Sequence, residues 1–225
     1  MASSGSLALR ALGTQVTVRS QVTEALRDAL IAGEMEPGQV YSAPALAAML
    51  GVSATPVREA MLDLGREGLV ETIRNKGFLV TECSPRQLDE IASLRALIEV
   101  PTVGVVARVG RLDDLRALRP LAEEIVTAAE AGDLIAFIRA DTAFHLQLLS
   151  LAGNQTLVNE VAQLRSSSRL YGLRELADGG LLTVSAREHP QLLDMLEKRD
   201  VQASEALMHT HIGHVRGIWA RREEQ

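Results

Sequence analysis

The stretch PALAAMLGVSATPVREAMLDLGRE, residues 44–67, constrains the fold more than any other part of the chain. Ser42 followed by Pro44 reads as a helix start, a side-chain cap with proline in the first turn. The short apolar helix that follows ends at Gly51. Val52 and Ser53 make a turn, and a second helix is predicted from about Ala54 to Glu67, with Val57, Met61 and Leu64 on one face. Two short helices joined by a tight glycine-containing turn form a helix-turn-helix, whose second helix enters a DNA major groove. Downstream, GLVETIRNKGFLV predicts two short strands around the polar tip Arg74-Asn75-Lys76-Gly77, a wing. The expected DNA contacts are Ser53, Thr55 and Arg58 on the second helix, and Arg74, Lys76 and Gly77 on the wing.

The same residues carry a family resemblance. GVSATPVREAM, preceded by ALIAGEMEPGQ and followed by LGREGLVETIRNKGFLV, resembles the winged-helix domain of the GntR family of bacterial transcription regulators over residues 17–82. The Gly33…Pro37-Gly38 turn, Leu46-Ala47, Gly51-Val52-Ser53, Thr55 to Ala60 and Gly68-Leu69-Val70 fall in the order that resemblance implies. Three positions depart from it. Ala54 stands where the family's S-R-T-P-V-R-E pattern has arginine, Ala43 where an acidic residue is usual, and Pro44 is uncommon. An arginine that pairs with guanine through two hydrogen bonds supplies about 1–3 kcal/mol of discrimination, so its absence at Ala54 leaves the operator sequence open.

Charge sharpens the expectation. Residues 15–82 hold six Lys/Arg against nine Asp/Glu, and residues 83–225 hold 16 against 20. A phosphate-binding domain usually shows a basic footprint. Here the positive charge must be local, at Arg58, Arg74 and Lys76, so one copy should bind weakly and salt-sensitively. A homodimer on a palindromic operator is the expected form. Arg58 has a competing role as an ion-pair partner of Glu59 or Asp63.

The 225 residues allow two modest domains, and 47% apolar with 23% charged residues is ordinary globular composition. Aromatics at 3% beside abundant Ala and Leu favour helix over sheet. A single cysteine, Cys83, excludes an intramolecular disulfide framework and fits a reducing cytoplasm. No stretch approaches a membrane span. MASSGSLALRALG lacks the layout of a signal peptide, so residues 1–14 are expected to be a disordered leader. A first helix over 16–32 opens the winged domain, assigned to 15–82, and Ser84-Pro85 starts the next element. From 83 to 225 no alternating strand pattern appears. Six helical runs are predicted, at about 85–109, 111–131, 133–152, 154–177, 181–198 and 200–222, forming an antiparallel bundle. Pro101 and Pro190 lie inside runs and should kink or open their helices. The overall expectation is a mainly α chain, a winged helix-turn-helix domain followed by an all-α bundle.

Polar residues interrupt the apolar faces of that bundle. In DLIAFIRADTAFHLQLLSLAG, Asp141 and His145 share a stripe with Leu134, Ile138 and Leu148. His189 joins the stripe of Leu192, Leu193 and Leu196, and His211 sits among Leu207, Met208 and Val215. A buried carboxylate must be paired or bind a cation. One Asp and three His from three helices suit a divalent metal, zinc first, with nickel or manganese as alternatives. Each histidine taken alone also reads as a hydrogen-bonded core residue. His209 reads as solvated beside Glu205 and Arg216, and His214 is a substitute ligand for His211.

A second resemblance covers residues 85–220, which look like the helical FCD ligand-sensing domain of the FadR subfamily of GntR regulators. Its matching pieces are Arg95-x3-Glu99, Asp141-x2-Phe144-His145, Ala152-Gly153-Asn154, Glu188-His189 and Met208-x2-His211-Ile212. The resemblance implies that Asp141, His145, His189 and His211 bind a divalent metal that helps hold a small organic acid. It makes Arg95 the anchor for the acid's carboxylate, against a plain i,i+4 ion pair with Glu99. Asn154 is a further effector candidate, with helix capping as its other role. Together these imply a cytoplasmic, homodimeric, ligand-responsive transcription regulator, a repressor, with no catalytic residues. The rivals are a metal-sensing regulator and a helical metalloenzyme with an accessory DNA-binding domain. The absence of paired Glu-x-x-His, HExxH or a nucleophile elbow argues against the enzyme.

Overall fold

A computed structural model describes residues 17–168 and 181–219. The expected leader 1–14, the end of the fourth run after Ser168, the Gly179-Gly180 break, and the side chains of His214 and Arg216 lie outside the described residues.

The winged domain begins with α1, Val18–Ile31, whose first turn is capped by Thr17 accepting from the Ser20 amide. A short strand, β1 (Val40–Tyr41), precedes the two motif helices, α2 (Ala43–Leu50) and α3 (Ala54–Arg66). Ser42 caps α2 by accepting from the Ala45 amide, and Gly51 ends it in the left-handed region at φ 67°. The wing strands are β2 (Val70–Ile73) and β3 (Gly77–Val80). Helices and wing follow the sequence expectation, but β1 does not. It adds to β3, pairing Val40 with Leu79 and Tyr41 with Phe78, to give an antiparallel sheet of order β1-β3-β2. A two-residue strand has no periodicity to read; its partner across the sheet creates it. Val22, Leu26, Leu46, Val57, Met61, Leu64, Phe78 and Val80 form this domain's core.

Ser84 opens the bundle with a capping box: its hydroxyl accepts from the Gln87 amide while the Gln87 side chain accepts from the Ser84 amide. Among the described residues the bundle comprises α4 (Pro85–Val109), α5 (Leu112–Ala117), α6 (Arg119–Ala131), α7 (Leu134–Ser150), α8 (Gln155–Ser168), α9 (Leu181–Glu197) and α10 (Val201–Trp219). The predicted run 111–131 is therefore two helices. Pro120 has no amide to donate to Arg116, so the chain breaks at Leu118 and restarts with proline in its first turn.

Pro101 and Pro190, in contrast, lie inside helices that continue through them. Leu97, whose carbonyl loses its helical donor to Pro101, is an exposed residue. The carbonyl that Pro190 leaves without a helical donor is that of Ala186, and a side chain takes it up: His189 Nδ1 lies 2.9 Å away. α4 lies along α10, and α6 packs between α7 and α9. Val103, Val106, Leu115, Ile125, Phe144, Leu148, Leu193 and Met208 fill the core between them.

The two domains touch through α1. Ile31 joins the bundle's core, and Arg139 on α7 reaches Asp28 with contacts of 2.7 and 2.8 Å. Beside these contacts, a cavity of about 270 Å³ is lined by Arg27, Ile31, Glu67, Ile138, Thr142 and Ser166, among others.

Candidate functional site

The predicted stripes bring Asp141 and His145 of α7, His189 of α9 and His211 of α10 to one place. All four are buried, and their ligand atoms lie within 4.8 Å of one another. Their hydrogen bonds fix much of the proton inventory. The Ala186 carbonyl can only accept, so His189 carries a proton on Nδ1, and Nε2 is the nitrogen that faces the cluster. Glu188 Oε2 lies 2.8 Å from His211 Nδ1 and orients that ring in the same sense. His189 Nε2 stands 3.1 Å from both His145 Nε2 and Asp141 Oδ1. His145 can supply a proton to the first contact. The second sets Nε2 against a carboxylate oxygen at hydrogen-bond distance in a buried cluster, a contact that a proton on Nε2 or a cation between the two makes favourable. The donor set suits a late first-row divalent ion.

Around these four lies a buried ionic layer. Arg95 Nε donates to Glu99 Oε1 at 2.6 Å, while its buried Nη2 has no partner. Arg165 of α8 donates from Nη1 to Glu99 Oε2 at 3.2 Å and from Nη2 to Asp141 Oδ2 at 2.5 Å. Burial works against ionisation of Glu99, but the Arg95 and Arg165 guanidiniums outweigh it and hold the carboxyl below its ordinary range. Burial and then the neighbouring Arg95 draw Arg165 down to about 9, while Glu99 holds it up, so it stays charged at neutral pH. Burial, with the nearby Arg165 charge, pushes His145 well below its usual range. Burial takes His211 to about 4, against the pull of Glu188. Neutral imidazoles are the form a metal binds.

Arg95 thus makes the i,i+4 pair with Glu99 and also keeps one donor over. Asn154 is exposed and its Oδ1 accepts from the Leu157 amide at 3.1 Å, so the structure makes it the cap of α8 and not a member of the buried cluster. His209 is exposed. The sequence reading missed Arg165, although the signal was present: it follows Val158 and Val161 at helical spacing on the buried face of α8.

On the winged domain, Ser53, Thr55 and Arg58 are exposed on α3, and Arg74 and Lys76 are exposed at the wing tip. Asp63, one of the two alternative partners for Arg58, is taken by Arg19 at 2.5 Å and Arg66 at 2.6 Å. Gly77 has a steric role: at φ 137° a Cβ there would run into the Tyr41 backbone, so glycine lets β1 and β3 meet. Among the described residues no helix is long and apolar enough to cross a membrane.

Comparison with known proteins matches both halves. Residues 18–80 match the family described as bacterial regulatory proteins, gntR family, and residues 90–214 match the FCD domain. The chain is 30% identical over 206 residues to an HTH-type transcriptional regulator of Streptomyces ambofaciens, covering 87% of this chain and 82% of that one. It is 30% identical over 187 residues to the HTH-type transcriptional regulator McbR of Escherichia coli, covering 82% and 85%. The solved structure of E. coli McbR/YncC superposes with a TM-score of 0.78 at 27% identity, over 93% of this chain and 100% of that one.

Proposed function

We propose that this chain, which belongs to the gntR family of bacterial regulatory proteins and carries an FCD domain, is a repressor whose operator affinity is set by a small organic acid at a divalent-metal centre. Its relatives are transcription regulators and not enzymes, and the division of labour follows: the winged helix-turn-helix reads DNA, and the helical domain binds ligand. The metal reading rests on one observation, the convergence of one carboxylate and three imidazoles, all buried, with their ligand atoms within 4.8 Å of one another. Asp141, His145, His189 and His211 would hold the ion, zinc first and nickel or manganese next. Bound there, it would supply positive charge for an anionic ligand.

The chain's own residues argue for a small acid. Glu99 and Asp141 pair with the guanidiniums of Arg95 and Arg165, and Glu188 pairs with His211. A divalent ion would add positive charge to that layer, which favours an anionic ligand. The partnerless Arg95 Nη2 is the donor left to receive it.

The homodimer is supported by an outer stripe on α4. Leu94, Leu97, Val105 and Val109 recur at helical spacing and stay exposed, and a second copy is the occupant that a two-fold operator requires. Ser53, Thr55, Arg58, Arg74, Lys76 and Gly77 would face the DNA. Regulation would be linkage: the acid binds better in one arrangement of the winged domains than in the other, and operator affinity shifts by the same factor.

Elemental analysis of wild type beside Asp141→Ala/His189→Ala tests the centre, and fluorescence anisotropy on operator DNA with and without candidate acids tests the coupling. About one metal per chain, lost in the variant together with the acid response, is the expected result. An acid response that survives in the variant overturns the metal-linked mechanism. A shift caused by metal alone makes the metal itself the signal.

A further inference from the structure

We propose that Pro190 is a positioning residue for the metal centre: by withholding a helical amide it reserves the Ala186 carbonyl for His189 and so fixes the His189 tautomer that presents Nε2. The proposal rests on the metal reading above for its purpose, but not for its geometry.

In an unbroken α-helix the amide of residue 190 would donate to the carbonyl of residue 186. Proline has no amide proton, and its ring crowds that carbonyl, so the fourth carbonyl back is left without its helical donor. The orphaned group belongs to Ala186, which is fully buried, where water cannot serve it and an unmet carbonyl is costly. His189 Nδ1 lies 2.9 Å from it. A carbonyl oxygen accepts and never donates, so the proton is on Nδ1.

The other ring nitrogen, Nε2, then faces Asp141 Oδ1 and His145 Nε2, both 3.1 Å away, and in the neutral ring it is the one with the lone pair. The opposite tautomer would leave Ala186 unmet and put a proton where the ion belongs. Metal-bound histidines commonly have the second nitrogen fixed by a carbonyl or carboxylate. His211 obtains this from Glu188, whereas His189 obtains it from its own helix, through the residue that follows it. Helix α9 gives up one internal hydrogen bond for an oriented ligand.

Pro190→Ala restores the missing donor and should separate two quantities that a merely structural proline would move together. The metal-free variant should melt several degrees higher, since its helix regains a bond and loses the ring. Its zinc affinity, measured by competition with a chromophoric chelator, should fall about tenfold, the low end for disturbing a ligand's outer partner. Long-range 15N–1H spectra of the metal-free protein at neutral pH should show His189 wholly Nδ1-protonated in wild type and a mixture in the variant. This last measurement needs no metal, so it separates failure of the present proposal from failure of the metal reading. A variant with a pure Nδ1 tautomer and wild-type affinity, or one that loses stability and affinity together, overturns the assignment.

Discussion

Arg165→Met is the most informative single change in the bundle. The side chain is fully buried and donates to two carboxylates, Glu99 Oε2 at 3.2 Å and Asp141 Oδ2 at 2.5 Å. Methionine fills a similar volume but removes the charge. Glu99 keeps Arg95 at 2.6 Å, so the loss falls mainly on Asp141. Breaking one partner out of a buried ion pair costs about 3–5 kcal/mol, because the remaining charge stays in low dielectric. At about 2–4 °C per kcal/mol for a chain of this length, the melting temperature should drop by roughly 6–20 °C. The assay is urea unfolding followed by circular dichroism, in chelator, with Arg165→Met/Asp141→Asn alongside. The double variant should recover at least about 1 kcal/mol, since it removes the stranded charge. Zinc at a hundredfold excess over its Kd should return about 2.7 kcal/mol to the single variant. A single-variant loss below about 1 kcal/mol would refute the reasoning, because it would mean that water screens the cluster.

Three further outcomes follow from the same geometry. His145 and His211 are held below the ordinary histidine value of 6.5, His211 at about 4. The unfolded chain therefore takes up protons first as pH falls, and the metal-free protein should lose stability from about pH 6.5 toward pH 4, by ~3 kcal/mol from His211 alone. Glu99, depressed from 4.5, adds a loss below that value; a flat melting temperature from pH 7 to 4.5 would contradict the histidine shifts, and no further loss below 4.5 would contradict that of Glu99. Gly77→Ala forces a Cβ toward the Tyr41 backbone at φ 137° and should cost about 1–3 kcal/mol in thermal melts of the full chain, with weaker operator binding. Arg74→Ala/Lys76→Ala should reduce the slope of log affinity against log salt by about 0.9 for each phosphate no longer neutralised; an unchanged slope would remove the wing tip from the DNA interface.

The sequence was most legible where a local rule acts alone. Ser42 with Gly51 bounded α2, Ser84 with Gln87 started α4, and both helices lie where those caps place them. The four candidate metal ligands were legible because each is polar on an apolar stripe, a contrast that periodicity exposes. Arg165 gave the same contrast on α8 but lacked the chemistry that draws attention to a ligand, and the pairs it makes are 24 and 66 residues away. Local rules make Pro101 and Pro190 kinks or local openings, because proline removes a helical bond. Both helices continue through them, one beside the exposed Leu97 and the other with a histidine meeting the freed carbonyl.

By itself the sequence determined the class of the molecule, its helix-turn-helix and the residues able to bind a cation, because caps, turns and helical spacing act within a few residues of chain. Tertiary structure alone decided which of those residues meet, that β1 exists, and that Asn154 caps a helix while Arg165 completes the buried layer. It also decided which nitrogen of each ring faces inward for His189 and His211. Those outcomes depend on contacts between distant segments and on the exclusion of water, and neither exists until the helices have packed.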